Sequence, residues 1–98
     1  MKVVSDTGPI IGLAKADRLS ILKELFIEVF IPPAVHKELF AKTGSEGEQI
    51  EKAFNDFIHV SQLEPLEESV RLVLSDLDEG EKQTVGLASS MSKDVVLL

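Results

Sequence analysis

The 98-residue chain has 17 acidic and 10 basic side chains, a formal charge of −7, and 44% hydrophobic residues. That suits one small globular domain and argues against a simple nucleic-acid clamp, which normally presents a basic face. With no cysteine, disulfides and thiolate-bound zinc or iron–sulfur centres are excluded, and the apolar runs fall far short of the roughly 20 residues of a membrane span.

Lys2 to Ser5 reads as a first strand that delivers Asp6 to its carboxyl end. Open α/β sheets bind ligands at that edge. Thr7-Gly8 makes a turn, and Pro9 opens a short helix to Lys15, where its missing N–H is no loss. Asp17 to Phe26 reads as a second helix, with Leu19, Leu22, Leu25 and Phe26 at helical spacing. Val29 to Ile31 is a strand stopped by Pro32-Pro33, and a helix from Ala34 to Lys42 follows, with Val35 and Leu39 on one face. Thr43-Gly44-Ser45 ends it, and Ser45 is expected to cap a helix from Glu46 to Asn55 or Asp56.

Ile58-His59-Val60 alternates as a strand does, and Leu66 to Leu74 reads as amphipathic, with Val70, Val73 and Leu74 apolar. Asp78-Glu79-Gly80-Glu81 has the form of a capping box before a helix to Ser90 or Met91. Val95 to Leu98 has the fully apolar look of a buried parallel strand. Alternating strands and helices predict a single layered α/β domain over 1–98 with a parallel sheet. Domains seldom stop at a buried strand, so the reading expects further residues beyond Leu98.

Asp6, Glu38 and Glu81 are the candidate catalytic and metal-ligating residues. Hard carboxylate oxygens suit Mg²⁺ or Mn²⁺, and an ion so held can lower the pKa of a bound water and offset phosphoryl charge. Each acid also has an ordinary reading. Asp6 can cap the helix after it, Glu38 can be a solvated helix residue, and Glu81 can be the reciprocal partner of Asp78, itself read as a cap. Ser5 and Thr7 flank Asp6 and could orient it by hydrogen bonding. His36 and His59 form no site. Lys37, Lys42, Lys82 and Arg71 are cations that nothing in the sequence groups together.

Three segments then align with a known pattern: Val4-Ser5-Asp6-Thr7-Gly8-Pro9-Ile10-Ile11, Val29-Phe30-Ile31-Pro32-Pro33-Ala34-Val35-His36-Lys37-Glu38-Leu39, and Leu77-Asp78-Glu79-Gly80-Glu81. In that order the chain resembles a PIN domain, most closely the small prokaryotic members. The resemblance implies a Rossmann-like three-layer α/β/α sandwich and a Mg²⁺- or Mn²⁺-dependent ribonuclease acting on single-stranded RNA. It further implies a toxin with an antitoxin partner, and a homodimer; the cytoplasmic location that the cysteine-free composition fits is compatible with this. By position, Asp6 matches the family's first acid and Glu38 the second. Glu81 matches the third, more often aspartate there, and Ser5 or Thr7 matches the small hydroxyl residues beside the first. The family usually adds an acid just past the strand read here as Val95 to Leu98, which this sequence does not reach.

Two rival classes differ in kind. One is a catalytically incomplete module that dimerises or binds a protein or RNA partner. The other is a phosphorylation-dependent receiver-like switch. The switch needs a phosphoryl-accepting aspartate at the end of a central strand, and Ile58-His59-Val60-Ser61-Gln62 offers none.

Overall fold

The computed structural model describes residues 2–26, 28–42, 44–62, 68–91 and 95–98, without side chains for 68–70. Ten elements follow one another: β1 (Lys2–Val4), α1 (Thr7–Lys15), α2 (Ser20–Phe26), β2 (Glu28–Ile31), α3 (Pro33–Lys42), α4 (Gly47–Phe54), β3 (Ile58–Val60), α5 (Glu68–Val73), α6 (Glu79–Ser90) and β4 (Val95–Leu97). The strands form one sheet in the order β3-β2-β1-β4, and every pair is parallel, with Val3 opposite both Val29 and Val96, and Val29 opposite Ile58. The layered α/β domain with a parallel sheet expected from the strand–helix alternation is the fold found.

Valines and isoleucines dominate the inner strands because both sheet faces are covered, and β-branched side chains pack well there. Val3, Val29, Ile31 and Ile58 form a core with Ile10 and Ala14 of α1, Leu22 of α2, Val35 and Leu39 of α3, and Ile50 and Ala53 of α4. Leu39 and Val35 are fully buried, and that packing fixes which way α3 turns Glu38. No described helix is long and apolar enough to cross a membrane.

Several boundaries differ from the sequence reading, each for a physical reason. The first helix begins at Thr7, before Pro9, because the Asp6 carboxylate accepts the Thr7 N–H at 2.7 Å and caps it. Asp17 does not open the second helix. It ends the first, in the left-handed region at φ 56°. Arg18 N–H reaches the Leu13 carbonyl at 2.8 Å and Asp17 N–H the Ala14 carbonyl at 3.1 Å, the double bond of a Schellman ending.

Ser45 does not cap α4 either. Glu46 takes the capping position with no side-chain bond to the helix, and its carboxylate accepts the Gly44 N–H at 3.1 Å instead. That bond, with the Glu46 main-chain N–H second, holds the Glu46 carboxyl below its usual range.

The last strand, expected to be buried, lies at the sheet's edge. Its Val95 and Val96 are half-buried, and Leu97 is exposed. In the amphipathic stretch, Leu66 and Glu67 lie outside the described residues, and Val73, expected on its apolar face, is 80% exposed.

Candidate functional site

The carboxyl end of β1, α1, α3 and the start of α6 line an open cleft of about 460 Å³. Asp6, Glu38 and Glu81 line it together, and so does Asp78. Three of their oxygens converge on one point. A side-chain carbon added to Gly80 would lie 3.4 Å from Asp6 Oδ1, 3.5 Å from Asp78 Oδ1 and 3.5 Å from Glu38 Oε1. The structure thus brings together three acids that are 32 and 43 positions apart in pairwise steps of the chain, and adds a fourth.

Each acid has a distinct support. Asp6 follows the buried β1, and its main-chain N–H donates to the Leu98 carbonyl at 2.9 Å, so the edge strand fixes its backbone. Glu38 projects from the middle of α3. Its Oε2 accepts the Thr7 hydroxyl at 2.5 Å and lies 3.9 Å from Lys42 Nζ, which leaves Oε1 aimed at the shared point. A hydroxyl bond to a carboxylate this short is charge-assisted and strong.

Asp78 caps α6 in extended conformation, φ −72° and ψ 172°, accepting the Glu81 N–H at 2.8 Å. That N–H is the main reason its carboxyl is held below the usual carboxylate range. Glu81 completes the capping box only loosely, at 3.4 Å from the Asp78 N–H, beyond the usual 2.7–3.2 Å of such bonds. Its carboxylate is therefore easily released.

The supporting hydroxyls act differently from the sequence expectation. Ser5 donates to the Asp6 carbonyl at 2.9 Å rather than to its carboxylate. Thr7 steers Asp6 through its main-chain N–H and spends its hydroxyl on Glu38. Of the cations, Lys42 and also Lys15 line the cleft. His36 instead packs edge-on to Phe40 and Phe54 at 5.0 and 5.1 Å, and His59 lies beside Phe30 and Glu28.

Asp78 is the site residue that sequence reasoning missed. Its signal was the capping box, which explained it fully as a helix start. What the sequence does not state is that this helix start abuts the end of β1.

The donor set is all oxygen and anionic, which fits a hard divalent cation. The N-termini of two helices, α1 and α6, meet the same acids through their caps, and helix N-termini favour the ionised carboxylates. Among the described residues, no three His, Cys, Asp or Glu side chains already stand in ion-gripping geometry. Gripping an ion thus requires the carboxylates to move.

A parallel sheet with acids gathered at its carboxyl edge is a known architecture. A family model described as a PIN domain matches residues 2–98, and the chain belongs to that family. No curated protein and no solved structure gives a match.

Proposed function

We propose that the protein is a metal-dependent endoribonuclease of the PIN type that hydrolyses single-stranded RNA. The observation that carries this reading is the convergence of Asp6, Glu38 and Asp78 oxygens around Gly80, with Glu81 on the same cleft. Asp6, Glu38 and Glu81, with Asp78 beside them, are the residues that would hold Mg²⁺ or Mn²⁺. When bound, such an ion supplies an activated water and offsets charge on the phosphodiester.

The chain's own groups do the remaining work. Thr7 holds Glu38 Oε2 so that Oε1 keeps its aim. Lys42 and Lys15, on the cleft wall, attract phosphate oxygens into a site whose acids alone would repel them. Leu39 and Val35 anchor α3 and keep Glu38 from swinging away. No side-chain nucleophile is needed, because water can attack the phosphorus directly.

The test is cleavage of a single-stranded RNA with Mn²⁺, Mg²⁺ or chelator, by the parent and by Asp6→Asn. Metal-dependent cleavage that Asp6→Asn reduces by about a hundred-fold or more supports the reading. Equal cleavage by both proteins overturns it. The toxin role, antitoxin partner, homodimer and cytoplasmic setting belong to the same proposal, on family grounds. Co-purification of a neighbouring-gene product and the mass of the particle in solution test the first three.

A further inference from the structure

Gly80 is the second residue of α6 and is buried. Its φ is not positive, so the backbone conformation does not call for glycine. Packing does not call for it either. Outside its chain neighbours and its own helix backbone, the three nearest heavy atoms to an added side-chain carbon are carboxylate oxygens at 3.4–3.5 Å, an ordinary van der Waals distance. Glycine in a helix is disfavoured against alanine by up to about 1 kcal/mol. The chain therefore carries glycine at a helix position where the nearest groups a methyl would meet beyond its own helix are three carboxylates.

We infer that Gly80 is a positioning residue. Its bare Cα keeps open the space through which Asp6, Glu38 and Asp78 close on a divalent cation. The inference rests on the metal-centre reading above and adds to it the residue that lets the site close. The ion itself cannot sit at the added-carbon point, which lies about 1.5 Å from Cα by covalent geometry. Among the described residues no three acids yet stand in ion-gripping geometry, so these carboxylates must move to hold an ion at roughly 2.0–2.2 Å. A methyl already in van der Waals contact with Asp6 Oδ1, Asp78 Oδ1 and Glu38 Oε1 hinders that movement. It also sets an apolar group against three anions and takes hydration from them without supplying a partner.

The test uses the full chain in three forms: parent, Gly80→Ala and Asp6→Asn. Mn²⁺ affinity is read from the free-ion electron paramagnetic resonance signal, and metal-free thermal unfolding is followed beside it. Gly80→Ala should melt at or above the parent's temperature yet bind Mn²⁺ about ten- to a hundred-fold more weakly. A purely structural glycine would show the opposite pattern, a lowered melting temperature with affinity kept. Parent-like Mn²⁺ affinity in Gly80→Ala, or loss of its fold, overturns the inference. If Asp6→Asn weakens binding and Gly80→Ala does not, only the role of Gly80 falls. If Asp6→Asn also binds like the parent, the metal-centre reading falls first.

Discussion

The wall of the molecule around β2 and the cleft at the end of β1 are built on opposing physics. Around β2, Val29, Ile31, Ile50 and Ile58 are at most 1% exposed and belong to one apolar cluster, so burial and function do not compete. At the cleft, four carboxylates share one concavity, and their mutual repulsion works against the fold that gathers them. The first region supplies stability and the second draws on it. Such strain collects where a site must bind something of opposite charge.

The largest expected effect lies on the apolar side. Ile31→Ala should destabilise the protein by about 2–5 kcal/mol, the usual result of emptying a closed core site. Denaturant unfolding measures it, and a loss under about 1 kcal/mol would mean that β2 is less tightly enclosed than its burial indicates. Because Ile31 precedes the prolines that launch α3, the same variant should also weaken Mn²⁺ binding slightly, through Glu38.

Thr7→Val probes the border between the two regions. It removes the hydroxyl that holds Glu38 Oε2 while keeping shape and burial. The expected outcome is a stability change of about 1 kcal/mol with roughly ten-fold weaker Mn²⁺ binding. Calorimetric titration beside thermal unfolding separates the two. Unchanged affinity would show that Glu38 is aimed by α3 alone.

The smallest effect is acid loosening of helix starts. Asp78 and Glu46 are both held below their ordinary values of 3.8 and 4.5, chiefly by the Glu81 and Gly44 N–H groups. A lowered carboxyl pKa contributes stability above the ordinary value and loses it as pH falls through the lower one. The turn at Gly44–Glu46 before α4 and the start of α6 should therefore loosen first below about pH 4, seen as faster amide exchange there. In Asp78→Asn, a neutral residue that still caps well, the acid-linked part at α6 should vanish.

How much of this was legible follows from where the information sits. β3 was readable because Ile58-His59-Val60 alternates, and β1 and β2 because strands covered on both faces carry apolar runs, Val3-Val4 and Val29 to Ile31. Val95 to Leu97 carries the same signature, yet its edge position is set by strand order and no local pattern encodes it. Asp17 was misplaced because its left-handed backbone serves the helix behind it, not the one ahead. Asp6 was visible as an acid at a strand end, whereas Glu38, within a helix, stood out only through the family pattern. The hydroxyl bond that joins them through Thr7 spans 31 positions and leaves no trace in spacing. Asp78 shows the reverse problem, one side chain with two duties, the local one hiding the distant one.

The most direct measurement is thermal unfolding of the parent and Glu38→Gln, each with and without Mn²⁺. Gathered carboxylates predict that Glu38→Gln raises the metal-free melting temperature by relieving repulsion. They also predict that Mn²⁺ stabilises the parent saturably and the variant little or not at all. Equal Mn²⁺ stabilisation of both proteins, or none of the parent, would contradict the claim that these acids form one cation site.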